Sequence, residues 1–137
     1  MFMKKLIIIY LLLILPFPVF AGSIEDEINQ QRKENNLKVL MVEKSLINTA
    51  KFKVNDMIFH KYFAHINPFG DSLFNIFERF KIKYSIGGEI LAKKFNGDGL
   101  IKAWMDSPKH KDVILDVNFY SVGCYQKEGL TACHFKR

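Results

Sequence analysis

The clearest spacing of apolar and polar positions lies between residues 43 and 60. Leu46, Ala50, Val54, Met57 and Ile58 recur there at steps of three and four, with Lys44, Lys51, Lys53 and Asn55 between them. That spacing predicts one long helix with a single buried face. Earlier in the chain, Ser23 followed by Glu25, Asp26 and Glu27 predicts a helix start, since a hydroxyl caps free N–H groups and carboxylates suit the helix dipole. This helix turns Ile24 and Ile28 inward and ends at Asn35-Asn36, where Asn tolerates a left-handed conformation. Leu37, Val39 and Leu40 follow as an extended stretch. Asn67-Pro68-Phe69-Gly70 is a turn, after which Asp71 is expected to cap a helix carrying Leu73, Ile76, Phe77 and Phe80. Residues 84–93 read as a strand holding Ile86, Ile90 and Ala92, with Gly87-Gly88 marking a close approach. Asp98-Gly99 opens a helix with Leu100, Ile101 and Trp104. Ser107-Pro108 restarts the chain as N-cap and first helical residue. Residues 119–127 and 130–135 read as two strands around Glu128-Gly129. Helices first, then strands, with one strand between helices, predict an α+β domain: helices packed around a small central sheet.

The first residues stand outside this pattern. Lys4 and Lys5 precede an apolar run over residues 6–15, which Pro16-Phe17-Pro18 ends before Val19-Phe20-Ala21. A basic start, an apolar run and a small-x-small end are the parts of a secretory signal peptide. Residues 1–21 are therefore expected to be the signal and residues 22–137 the domain. The run is short for a membrane span, which needs about 20 apolar residues, so no transmembrane segment is expected after cleavage. No cysteine lies near the cleavage point, which argues against a lipoprotein. The 137 residues suit one domain, and 49% hydrophobic residues with 13 Phe supply a core. The net charge of +6 is spread among acids without a basic run, so nucleic-acid binding is not expected.

Export permits a disulfide, and there are two cysteines. With Glu128-Gly129 as a two-residue loop, Lys127 faces Leu130, and counting outward places Cys124 opposite Cys133. That makes them a non-hydrogen-bonded pair, about 4.5 Å between Cα atoms, within the reach of a bridge. Glu is a poor first residue for a type I′ turn. A four-residue loop would keep this register and a three-residue loop would break it. The competing reading is two reduced, metal-binding thiols.

Chemistry concentrates at His65, Glu89 and His110. His65 sits on a loop beside the Pro-Gly turn, Glu89 among apolar strand residues, and His110 at the third position of a helix opened by Pro108. Two imidazoles and a carboxylate meeting in a cavity would offer a divalent ion, zinc foremost, two nitrogens and an oxygen. Each residue alone has a plainer reading: a surface or core histidine, or a glutamate paired with lysine. His60 reads as an exposed helix end and His134 as structural. Ser72, Ser85 and Ser107 are candidate nucleophiles only in name. None lies in a nucleophile elbow, and Ser107 is accounted for as a cap.

The motifs as a set resemble the CAP superfamily of SCP-like domains, in its compact bacterial form. Ile28-Asn29-Gln30-Gln31-Arg32 resembles the family's N-x-x-R start, and Asn36-Leu37 stands where Gly-Leu is usual. Tyr62-Phe63-Ala64-His65 with Asn67-Pro68-Phe69-Gly70 resembles its H-x-x-P-x-G turn, and Gly88-Glu89-Ile90-Leu91-Ala92 its G-E-N-I-A strand. Trp104-Met105-Asp106-Ser107-Pro108-Lys109-His110 resembles W-x-x-S-P-G-H, and Phe119-Tyr120-Ser121-Val122-Gly123 resembles Y-x-x-I-G. The resemblance implies an α-β-α sandwich with a mostly antiparallel central sheet and a cavity. In many members two His and two Glu line that cavity and can hold a divalent ion. His65, Glu89 and His110 match three of the four. Ile90 replaces the Asn of G-E-N, Ser107 stands at the second Glu, and Lys109 replaces Gly.

The expected protein is an exported, periplasmic or secreted binding module with a divalent-cation cavity and an envelope lipid, glycan or protein as ligand. One alternative is a metal-assisted hydrolase, in which the ion lowers the pKa of a bound water and Glu89 or a histidine moves the proton. Another is a structural domain without a metal site.

Overall fold

A computed structural model describes residues 22–95 and 99–137. The expected signal peptide, and Asp98 at the expected start of a helix, lie outside the described residues.

Helix α1 (Ile24–Glu34) opens with a capping box. Ser23 Oγ accepts from the Asp26 N–H and Asp26 Oδ2 from the Ser23 N–H, both at 3.2 Å. Asn36, at φ 59°, turns the chain back. Asn29 and Arg32 then fasten the returning stretch. Asn29 exchanges hydrogen bonds with the Leu40 backbone in both directions, at 3.0 and 2.7 Å. The buried Arg32 donates to the carbonyls of Lys38, Ile114 and Asp116 at 2.8–2.9 Å. Burial pulls the Arg32 pKa down, partly opposed by Asp116. The N-x-x-R pair is thus a clamp between helix and loop.

The chain continues through β1 (Met41–Val42), α2 (Lys44–His60), α3 (Leu73–Arg79), β2 (Gly87–Lys93), α4 (Leu100–Met105), α5 (Pro108–Ile114), β3 (Ser121–Lys127) and β4 (Leu130–Lys136). The sheet order is β1-β3-β4-β2, with β1 parallel to β3 and the other two pairings antiparallel. This is the α+β, mostly antiparallel arrangement that the sequence predicts.

Strand alternation decides the layers. Ile90, Ala92, Val122, Cys124, Cys133 and Phe135 point to one face, where Ile28 of α1, Trp104 of α4 and Ile114 of α5 complete a core. Leu91 and Ala132 point to the other face, against Ala50, Val54 and Met57 of α2. Helix α2 approaches β3 closely because residue 123 is glycine. A Cβ there would overlap the Ile47 nitrogen and lie 2.5 Å from the Leu46 carbonyl carbon. The indole N–H of Trp104 donates to the Leu91 carbonyl at 3.1 Å, tying α4 to β2.

Glu128 and Gly129 form the two-residue turn, at φ 51° and 73°. Cys124 faces Cys133, and the two are bridged with 4.1 Å between Cα atoms. The Cys124 N–H points away from its partner strand, to Glu25 Oε1 at 2.8 Å, as a non-hydrogen-bonded pair requires. Glu25, in the first turn of α1 as expected, is buried as this acceptor.

Other expectations are corrected. Ser72, not Asp71, caps α3. Its Oγ accepts from Phe74 N at 3.2 Å, whereas the Asp71 N–H closes the preceding turn onto Asn67 Oδ1 at 2.8 Å. Regular β2 starts at Gly87 rather than 84, although Ser85 N still donates to the Arg137 carbonyl at 2.7 Å. Lys53 belongs to the inner face of α2, not to the polar positions between: it is 1% exposed.

Candidate functional site

The site begins with a cross-strand pair. The β2–β4 register sets Glu89 directly opposite His134, on the face turned toward α2. Glu89 Oε2 accepts from His134 Nε2 at 2.7 Å, and Glu89 Oε1 accepts from His65 Nδ1 at 2.7 Å. The Glu89 side chain is 4% exposed, that of His134 0% and that of His65 62%. One buried carboxylate therefore joins a buried imidazole to an exposed one.

Helix α2 closes the floor. Thr49 and Lys53, four residues apart on its inner face, are both buried. Thr49 Oγ1 lies 2.8 Å from His134 Nδ1. Lys53 Nζ donates to the His65 carbonyl at 3.0 Å and to the Tyr62 hydroxyl at 3.2 Å, and Tyr62 donates to Asp56 Oδ2 at 2.5 Å. No buried side-chain nitrogen or oxygen among the described residues lacks a hydrogen-bond partner.

The charge states follow. Burial alone would raise the Glu89 pKa, but hydrogen bonds from His134 and His65 outweigh it, assisted by the charge of Lys53, and hold the pKa below its ordinary value. Burial lowers the His134 pKa despite Glu89, so that ring is neutral. Burial likewise lowers the Lys53 pKa, opposed by Glu89 and Asp56. Tyr62 is pushed upward, first by burial and then by Asp56, and stays protonated. A neutral His134 facing a carboxylate carries its proton on Nε2, and its Nδ1 accepts from the Thr49 hydroxyl. His65 donates its Nδ1–H to Glu89 as a hydrogen bond, which leaves Nε2 as the atom offered to solvent.

His110 approaches from α5. Its ring stacks on Trp104, with centroids 6.4 Å apart and planes 23° apart. Its Nδ1 lies 2.7 Å from Ser107 Oγ. Ser107 occupies the N-cap position as expected, but its hydroxyl makes no capping bond and serves His110 instead. Burial lowers the His110 pKa, helped by the His65 ring when that ring is protonated and by the charge of Lys109. His65 and His110 thus come within electrostatic reach of each other, with His110 neutral.

Of the three residues singled out from the sequence, His65 and Glu89 are in direct contact, and His110 lies within electrostatic reach of His65. Both Glu89 oxygens are engaged by imidazoles. Among the described residues no group of three or more His, Cys, Asp or Glu is arranged to hold a metal ion. Sequence reasoning missed His134, Thr49 and Lys53 as parts of the site. A signal existed for the latter two: positions 46, 49, 50, 53, 54 and 57 form one helical stripe, so a Thr and a Lys interrupt an otherwise apolar face. His60, expected as an exposed helix end, is partly covered, with Nε2 3.5 Å from Asp56 and its ring edge-on to Phe59 and Phe69.

Comparison with known proteins agrees with this architecture. The family model for the cysteine-rich secretory protein (CAP) family matches residues 25–129. The uncharacterized protein YkwD of Bacillus subtilis is 35% identical over 96 residues, covering 69% of this chain and 37% of that protein. An uncharacterized protein of Borreliella burgdorferi is 27% identical over 100 residues, covering 73% of this chain and 64% of its own length. The chain thus spans less than two thirds of either relative. Among solved structures, an extracellular SCP-domain protein of Bacillus anthracis superposes with a TM-score of 0.78 at 25% identity, over 82% of this chain and 38% of the other. An outer surface protein of Borrelia burgdorferi superposes with a TM-score of 0.77 at 22% identity, over 82% of this chain and 88% of the other. With the family model covering most of its length, and the sandwich and strand order in place, this chain belongs to the CAP, or cysteine-rich secretory protein, family.

Proposed function

We propose that the protein is an exported CAP-domain binding module whose cleft is built on His65, Glu89 and His110, and whose ligand is an envelope lipid, glycan or protein. Export is supported by the relatives described as extracellular and as an outer surface protein. The observation that carries the reading is the Glu89 carboxylate, buried and shared at 2.7 Å with His65 and His134. A fold that buries an ionised acid to aim an exposed imidazole has ordered that imidazole for an external partner.

A divalent cation, zinc foremost, is the proposed cofactor. We assign it to two imidazoles rather than to three donors. A carboxylate accepting from Nδ1 is the usual outer-shell support of a metal-binding histidine, and His65 has it. His110 is neutral, as a ligand must be. His65 and His110 would hold the ion, with Glu89 acting through His65. A bound ion would supply positive charge and Lewis acidity for an anionic or carbonyl-bearing ligand.

The test is thermal melting and metal analysis of the protein with zinc, with chelator, and in His65→Ala and His110→Ala. Zinc at about 100 times its Kd should stabilise by about 2.7 kcal/mol, and either substitution should remove that gain. Unchanged melting and no bound metal would leave a structural role for the cluster.

The His65–Glu89 contact also favours a second reading, hydrolysis, because an imidazole backed by a carboxylate is the arrangement of a general base. His65, not Glu89, would then move the proton, since both Glu89 oxygens are engaged. Metal binding without turnover on peptide, ester or glycan pools would leave the module alone.

A further inference from the structure

A separate cavity of about 570 Å³ opens on the other side of Lys53 and Tyr62, between the end of α2, the 62–71 loop and α3. His65, Glu89 and His110 do not line it. Its volume falls in the ordinary range for small-ligand clefts, about 300–1,000 Å³.

Its floor is internally satisfied. Lys53, Tyr62 and Asp56 are joined in series, and Asn67 divides its amide between the turn backbone and Asp71. The groups on α3 and the rim are not. Glu78 and Arg79 are exposed and form no ion pair with any described residue. The Arg79 guanidinium lies over the Phe52 ring, 5.0 Å from its centroid. Asn75 uses its oxygen to cap α3, and its amide N–H groups meet no acceptor among the described residues. Phe69 is 69% exposed at the mouth, with its ring set edge-on against His60 at 4.9 Å between centroids.

The lining carries both signs of charge: Asp56, Asp71 and Glu78 against Lys53 and Arg79. An anion would meet the carboxylates and a polyamine would meet Arg79 and Lys53. An alkyl chain would dehydrate all of them without replacing their hydrogen bonds. A zwitterion without an apolar side chain, such as glycine, matches the charges but leaves the exposed ring unused. A neutral sugar conflicts with none of these groups. Each hydroxyl both donates and accepts, so it can give protons to Glu78 and receive them from Arg79 and Asn75. The weakly positive C–H face of a pyranose also suits the negative face of an aromatic ring.

We propose that this cavity is a binding site for a neutral glycan of one or two sugar units, stacked on Phe69 and hydrogen-bonded by Glu78, Arg79 and Asn75. The site lies outside the His65–Glu89–His110 cleft, so it goes beyond the binding-module reading by adding a second site with its own ligand class, and it is independent of the metal.

The test titrates the protein with chitotetraose, cellotetraose and maltotetraose by calorimetry and saturation-transfer NMR. Spermidine, inorganic phosphate and glycine serve as charged controls. At least one oligosaccharide should bind saturably and more tightly than all three controls. Phe69→Ala, Glu78→Gln and Arg79→Ala, all at exposed positions, should each weaken that binding by about tenfold, the effect of one lost strong contact. His65→Ala and His110→Ala should leave it unchanged, which separates this site from the proposed metal site. Failure of all three oligosaccharides to bind, tighter binding of any control, or sugar binding that survives Phe69→Ala and Arg79→Ala would overturn the proposal.

Discussion

Glu89 and His134 face each other across the β2–β4 ladder with Oε2 and Nε2 2.7 Å apart, and neither side chain is more than 4% exposed. Their pairing carries the rest of the site, because the second oxygen of Glu89 is what holds His65. Removing the acid should therefore act on stability and on the exposed imidazole together. Glu89→Leu leaves the His134 N–H without its buried acceptor and the Lys53 ammonium without one nearby opposite charge. It should destabilise the fold by about 3–5 kcal/mol. Glu89→Gln keeps the shape and should cost about 1–3 kcal/mol. Urea midpoints for the two variants, at unchanged slope, check both.

Acid should destabilise the protein in a window opened by His134. Its folded pKa lies below the ordinary 6.5 because the ring is buried, so below that pH the unfolded chain binds a proton that the folded chain refuses. The stability that His134 contributes is present above pH 6.5 and is lost as pH falls toward the folded value. Glu89, also lowered from its ordinary 4.5, adds a further loss below pH 4.5 with the same sign. Melting temperature measured from pH 8 to pH 4 should fall through the first window and begin to fall in the second. His134→Gln should remove the first and shrink the second, because the His134 hydrogen bond is the leading cause that lowers the Glu89 pKa.

Gly123→Ala tests the contact between α2 and β3. The added methyl has backbone on its path, not a flexible side chain, so the helix must shift. Overpacking of this kind costs about 1–3 kcal/mol and sometimes more. A lowered denaturation midpoint with native far-UV circular dichroism is the expected result.

The Cys124–Cys133 bridge should leave no titratable thiol in oxidised protein. Closing so short a loop contributes about 2–3 kcal/mol. Cys124→Ser with Cys133→Ser should lose that amount in equilibrium unfolding.

The fold was legible wherever local physics decides. The stripe of α2, the Ser23 cap, the turn at Glu128-Gly129 and the bridge counted outward from it all rest on residues close in sequence. So do the errors of one to three residues at α3 and β2, where neighbouring Ser72 and Asp71, or Tyr84 and Gly87, compete for one boundary. Lys53 was misplaced because a lysine in a helix reads as solvated until something buried is known to receive it. Ser107 was placed correctly and its hydroxyl was not, since the choice between a backbone N–H and the His110 ring depends on how α5 lies against Trp104.

By itself the sequence determined the element types and the bridged hairpin, because caps, turns and periodicity act over a few residues; His65, Glu89 and His110 were singled out by their resemblance to family motifs. Only the tertiary structure decided that Glu89 is shared between His65 and His134, that Thr49 and Lys53 form its floor, and that a second, mixed-charge cavity opens behind Tyr62. Those contacts join residues 24, 45 and 85 positions apart. Their existence follows from the strand order β1-β3-β4-β2 and from the face each strand turns to α2, which local spacing does not encode.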